Sequence, residues 1–206
     1  MDEAHRAYYA ARAREYDDWW LGRGLFAARD RPGWPEEVRE LERLLAALPA
    51  ARTLDAACGT GFLTRHLRGL VVGLDQSAEM CALAQRRLPD GVAVVGDALA
   101  LPFPDRAFDR VLAGHFYGHL LGDQRARFLD AAARLAPELV VVDSALRPGG
   151  QPEAWQERTL NDGSRHRVYK RWFTAETLAE ELGGGETVYA GAWFVAVRIS
   201  RPTPPS

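Results

Sequence analysis

Two glycines one residue apart, Gly59 and Gly61, follow the run Leu54-Asp55-Ala56-Ala57-Cys58, and an acid, Asp75, closes the next apolar run, Val71-Val72-Gly73-Leu74. Glycines at a strand-to-helix turn lack the Cβ atoms that would hold a ligand off the backbone. A carboxylate at the end of the following strand can accept hydrogen bonds from both hydroxyls of a ribose. Together they point to a cofactor that contains a nucleoside. Further on, Gly114-His115-Phe116-Tyr117-Gly118-His119 follows a third apolar run. Ligands of open α/β sheets bind beyond the carboxyl ends of the strands, so His115, Tyr117 or His119 could take a proton from a reacting group there. Histidine suits that work because its ordinary pKa is about 6.5. Alignment of the reactants alone can also carry a transfer reaction.

The elements that must position these residues follow from periodicity. Apolar and aromatic positions predict an amphipathic helix from Ala4 to Trp20, a break at Arg31-Pro32-Gly33-Trp34-Pro35, and a helix from Glu36 to Leu48 ended by Pro49. Strand and helix then alternate: strand Thr53–Ala57, helix Gly61–Arg68, strand Leu70–Leu74, helix Ser77–Leu88 with Ser77 as N-cap, strand Val92–Val95, strand Arg110–Ala113, helix Asp123–Leu135, strand Leu139–Asp143. This alternation implies a mostly parallel sheet with helices on both faces. Trp155–Phe173 is polar, basic and aromatic around Asn161-Asp162-Gly163, a hairpin signal. A helix capped by Thr174 runs to Leu182, and two strands, Val188–Ala190 and Trp193–Ile199, close the pattern.

Four stretches resemble the class I S-adenosylmethionine-dependent methyltransferases: Leu54 to Gly61, Gly73 to Met80, Gly96-Asp97-Ala98, and Leu101-Pro102-Phe103 with Phe108-Asp109-Arg110-Val111. The resemblance implies a Rossmann-like, seven-stranded, mostly parallel α/β sheet with an antiparallel C-terminal pair, and S-adenosyl-L-methionine as cofactor. By resemblance Asp55, Gly59 and Gly61 surround the methionine end, Asp75 with Gln76 holds the ribose, and Asp97 with Ala98 meets the adenine. Ala57 and Gly114, at the ends of their strands, join this cofactor set. The expected activity is methyl transfer to an oxygen or nitrogen of a small-molecule acceptor.

A nicotinamide or flavin enzyme is the nearest alternative, and a binding protein that keeps the cofactor pocket without turnover is another. The third glycine of a dinucleotide fingerprint would fall at position 64, which is Thr64. Asp55 would repel phosphates if it faced them, whereas a cofactor bearing an ammonium and a sulfonium suits an acidic rim. A Walker loop is excluded because Lys170 is the only lysine. No Gly-x-Ser-x-Gly elbow is present.

The chain reads as one domain of 206 residues: an N-terminal helical lid at 1–35, a cofactor-binding core at 36–144, a flap at 145–173, a C-terminal helix and strand pair at 174–200, and a tail at 201–206. A net charge of −2 and the absence of a recognition motif argue against nucleic acid, and no apolar run suits a membrane. Two cysteines and no signal peptide fit the cytoplasm. In the lid, Tyr16 and Arg14 are expected to reach the cofactor, the arginine through its carboxylate. In the flap, Arg165, Arg167, Lys170 and Arg171 form a basic strip suited to an anionic small molecule. His115, His119 and Asp123 would share a helix face, but Gly118 and Gly122 argue against a helix there, so no metal is expected. Nothing in the sequence signals an oligomeric state.

Overall fold

The computed structural model describes residues 3–201. Seven strands form one sheet in the order β3-β2-β1-β4-β5-β9-β8: β1 Thr53–Ala56, β2 Val71–Asp75, β3 Val92–Val95, β4 Arg110–Gly114, β5 Glu138–Ser144, β8 Glu186–Ala190 and β9 Phe194–Ser200. The first five are parallel, and β9 runs antiparallel to both β5 and β8. The sheet winds outward from β1 to β3 in one direction and from β4 to β5 in the other. The β1/β4 boundary is therefore the switch point, where a crevice opens beyond the strand ends.

Alternation along the central strands divides the core in two. Val111, Ala113, Leu139, Val141, Val195 and Val197 face Phe128, Ala132 and Leu135 of α5 (Gly122–Leu135) and Leu178 of α6 (Ala175–Glu181). Leu112, Val140, Val142, Phe194 and Ala196 face Val38, Leu41 and Leu45 of α3 (Trp34–Ala47), which Gly33, Trp34 and Pro35 begin. Helix α4 (Ala78–Gln85) is capped as the sequence predicts, with the Ser77 hydroxyl accepting from Met80 N–H at 3.2 Å.

Two expected elements take a different form. The helix expected over Gly61–Arg68 is only a 3-10 turn, Thr64–His66. The Thr64 hydroxyl is tied to Asp55 at 2.6 Å, and Leu67 turns extended before Gly69 at φ +97°, so no further helical turn can be added. The Ala4–Trp20 helix is broken into α1 (Glu3–Arg12), a 3-10 turn at Ala13–Glu15 and α2 (Tyr16–Leu21). Gly114 to Asp123 contains a 3-10 turn, Tyr117–His119, before α5 begins at Gly122. Among the described residues no group of histidine, cysteine or acid side chains could hold a metal ion, and no helix is long and apolar enough to cross a membrane.

The 145–173 segment forms a separate two-stranded antiparallel sheet, β6 Glu153–Thr159 with β7 Arg165–Arg171. One face of this hairpin is turned inward and the other is exposed. Leu160 and Val168 pack with Tyr8 and Tyr9 of α1, and Asn161 N–H donates to Glu15 at 2.9 Å. Lid and flap thus meet over the strand ends.

Candidate active site

The turn after β1 is held by main-chain hydrogen bonds to β2. Cys58 N–H reaches Leu74 O at 2.9 Å, and Gly59 N–H donates to Asp75 Oδ2 at 3.0 Å. Asp75 Oδ1 accepts from Ser77 N–H at 2.9 Å, and carboxylate oxygens can each accept more than one hydrogen bond. Ala57 and His115 have φ of +68° and +57°, a conformation that costs a residue with a side chain and concentrates at functional sites. Both sit at the switch point, one beyond β1 and one beyond β4.

Two hollows flank His115. A cleft is lined by Ala57, Gly59, Asp75, Gln76, Gly96, Ala98, Phe116 and His119, with Tyr9 and Tyr16 of the lid closing it. Gly59 takes a φ of +55°, which favours glycine, and the Tyr16 ring lies over it at ordinary contact distance. The second hollow is a cavity of about 730 Å³ between lid, flap and the ends of β4 and β5. His115 lines both. Its ring lies 4.3 Å from Trp19 and 5.8 Å from His119 by centroids, and Nε2 is 2.8 Å from Ser144 Oγ.

Burial dominates the electrostatics. It pushes the Asp55 carboxyl up to about 7, the Thr64 hydroxyl opposing, and the Asp75 carboxyl up to about 6, the N–H groups of Ser77 and Gly59 opposing. Burial and then the nearby Lys170 and Arg158 cations hold His115 and His119 well below the usual histidine range. Both are neutral at pH 7.

The other sequence candidates divide. Tyr117 lies in the core against Phe128 and Phe173 and lines neither hollow. Arg14 is exposed and lines neither, whereas Arg12, on the helical face of Tyr8 and Tyr16, is buried and lines the cavity. Gly61 and Gly114 serve packing, since a Cβ would come within 3.1 Å of Ala84 Cα and 3.2 Å of a Leu63 methyl. Asp97 bonds Leu99 N–H at 2.9 Å and stands outside the cleft, between Gly96 and Ala98 that line it. Asp55 lies behind the β1 loop. His119 Nδ1 is 2.8 Å from Tyr169 O.

In the flap, Arg165 pairs with Glu157 and Arg167 stacks on Trp155 at the exposed face, and Arg171 pairs with Glu153 and Glu181. Only Lys170 of that strip faces inward, paired with Asp143. The inward arginine is Arg158, which sequence reasoning missed. Strand alternation would have found it, because 154, 156 and 158 share a face opposite 166, 168 and 170.

Two buried acceptors, Asp55 Oδ1 and Gln76 Oε1, have no hydrogen-bond partner among the described residues. An unsatisfied buried acceptor costs about 1–3 kcal/mol, so Gln76 Oε1, on the cleft wall, suits a ligand donor, while Asp55 lines neither hollow. A nucleoside with hydroxyl, amino and ammonium groups fits.

Comparison with known proteins agrees. A family profile described as a methyltransferase domain matches residues 54–138. A solved complex described as DhpI-SAM-HEP superposes with a TM-score of 0.78, at 29% identity and over 97% of both chains. Residues 54–138 thus carry a methyltransferase domain, and the fold is that of the class I S-adenosylmethionine-dependent methyltransferases. Curated relatives of this family include a demethylmenaquinone methyltransferase of Thermotoga maritima, 42% identical over 38% of this chain and 35% of its own length. Another is a dTDP-3-amino-3,6-dideoxy-alpha-D-glucopyranose N,N-dimethyltransferase of Streptomyces fradiae, 42% identical over 45% of this chain and 38% of its own. The chain thus spans little more than a third of the length of these two methyltransferases.

Proposed function

We propose that this protein transfers a methyl group from S-adenosylmethionine to an oxygen or nitrogen of a small-molecule acceptor in the cytoplasm. One observation carries this reading: His115 stands on the wall shared by the cleft beyond β1 and β2 and a larger cavity, where donor and acceptor would meet. When bound, the cofactor supplies a methyl group on a positively charged sulfur and leaves as S-adenosylhomocysteine. Asp75 accepts from the ribose hydroxyls, Gln76 Oε1 takes a further donor, and the Asp55 carboxylate contributes negative charge near the cationic end. Tyr9 and Tyr16 keep water from the cleft. A cavity of about 730 Å³ is of the size that encloses small ligands, which supports a small acceptor.

His115 then holds the proton that an attacking hydroxyl or amine gives up. When Nε2–H donates to Ser144 Oγ, the free lone pair is on Nδ1, and that atom is the proton acceptor. The two free thiols, Cys58 and Cys81, support a reducing compartment. The deciding experiment is calorimetric titration with S-adenosylmethionine, S-adenosylhomocysteine and NADH side by side. Binding of the two sulfur nucleosides alone is the expected result; binding of NADH alone would overturn the reading in favour of an oxidoreductase.

A further inference from the structure

We propose that the acceptor carries a doubly charged oxyanion of the phosphoryl type, held by Arg12, Arg29, Arg31 and Arg158 on the cavity wall beside His115. The word acceptor rests on the methyl-transfer reading above; the anion site stands on the cavity itself. Five guanidiniums line this hollow: Arg147, which stacks on Trp193 at 4.5 Å, and the four named, which reach it from three separate stretches, the end of α1, the turn before α3, and β6. None pairs with a carboxylate among the described residues. Arg12 donates to the Tyr8 hydroxyl at 3.0 Å and lies 4.8 Å from the Tyr16 ring. Arg31 donates to Trp19 O at 3.1 Å and stacks on Trp34 at 3.9 Å. Arg29 stacks on Phe26 at 4.7 Å, and Arg158 reaches only Gln156 Oε1, at 3.2 Å.

The chain's abundance of arginine does not account for this. Elsewhere several arginines are matched, as Arg39 with Glu36, Arg52 with Asp109, and Arg134 with Asp105, and others such as Arg14, Arg23 and Arg86 are exposed away from the cavity rather than gathered on one wall. The two acids on the cavity wall are engaged away from the four arginines, Glu157 with Arg165 at 3.3 Å and Glu15 with Asn161 N–H at 2.9 Å. Lys170 is neutralised by Asp143.

Burial first and then each other's charge lower the Arg29 and Arg31 pKa values, Arg29 feeling Arg158 and Arg12, and Arg31 feeling Arg29. Arg12 is 5% exposed, a burial that a cation seldom tolerates without a partner. Stacking on Tyr16, Phe26 and Trp34 fixes three of the planar forks in advance, and such forks match phosphoryl oxygens in pairs. A single carboxylate would leave most of this charge unanswered, so the count of cations selects a dianion.

The test is titration of the S-adenosylhomocysteine-loaded protein with inorganic phosphate and, separately, acetate. Both are run at pH 7.5 and fixed ionic strength, because such contacts are screened by salt. Phosphate should bind at least tenfold more tightly than acetate. Arg158→Gln and Arg29→Gln should each weaken phosphate about tenfold or more, the loss expected for a charged hydrogen bond, while Arg39→Gln on α3 leaves it unchanged. Failure of phosphate to bind a protein that binds S-adenosylhomocysteine, acetate matching phosphate, or indifference to both arginine variants would each overturn the anion site. Failure of S-adenosylhomocysteine itself would instead overturn the methyl-transfer reading, and phosphate titration of the unloaded protein would still decide the anion site.

Discussion

Asp55 and Asp75 are buried carboxyls whose protonation burial favours, and a cofactor with hydroxyl and ammonium donors needs them ionised. With folded values of about 7 and about 6, affinity for S-adenosylhomocysteine should rise as pH goes from 5 to 8, with proton release on binding visible in calorimetry in buffers of different ionisation enthalpy. Affinity that is flat or falls over that interval would contradict this account. Folding of the cofactor-free protein follows the opposite sign. A raised folded pKa means the native state keeps a proton that the unfolded chain gives up, so this contribution to stability fades as pH rises from about 4, the ordinary aspartate value, towards 7. His115 and His119, held low, act the other way below about 6.5. The informative measurement is therefore the difference between wild type and Asp55→Asn, which should gain relative stability towards pH 8 while losing cofactor affinity. Asp75→Ala should weaken cofactor binding by about 1.5–3 kcal/mol, as for a lost charged hydrogen bond; unchanged affinity would remove Asp75 from the site.

At the scale of elements, the lid is pinned to the β1 loop by one carboxylate. Asp17 of α2 accepts from the Thr60 hydroxyl at 2.6 Å and pairs with Arg87, which itself reaches Thr60 O at 3.1 Å. Asp17→Ala should speed dissociation of S-adenosylhomocysteine several-fold and raise hydrogen exchange in α1 and α2, with exchange in β1, β4 and β5 unchanged, because lids draw on the least stable part of a fold. Equal loosening of strands and lid would mean that Asp17 supports the whole domain. The strands, the hairpin and the cleft-lining residues Gly59, Asp75 and Gln76 were legible because local pattern sets them: an apolar run ends and a glycine or acid follows. The site's other half was not. Arg12 and Arg158 meet across a chain separation that no local period encodes, and Tyr117 reads as a catalytic neighbour of His115 until the 3-10 turn sends it into the core. The missing helix after Gly61 was hidden because Thr64, read only for its bearing on a dinucleotide, also spends its hydroxyl on Asp55.

Across the whole molecule, the flap is joined to the sheet through one buried ion pair, Lys170 of β7 with Asp143 of β5, and Asp143 also accepts from Gly118 N–H at 2.7 Å and Ser144 N–H at 2.7 Å. The junction is crowded: a Cβ on Gly118 would lie 2.5 Å from Arg171 O, so glycine lets the turn after β4 touch the hairpin backbone. Lys170→Met removes the cation and leaves a charged acid in the interior, which should cost about 3–5 kcal/mol. The double change Lys170→Met with Asp143→Leu removes the orphaned charge as well and should recover part of that loss, although the Gly118 and Ser144 N–H groups then lose their acceptor. Denaturant unfolding of the wild type, the single and the double variant measures this directly. If the single change costs under about 1 kcal/mol, comparable to an exposed pair, the flap is held instead by Tyr8, Leu160 and Val168 at its other end. If the double variant regains stability but loses binding of anions in the cavity, the pair's place in the molecule is to set the flap, and with it Arg158, over His115.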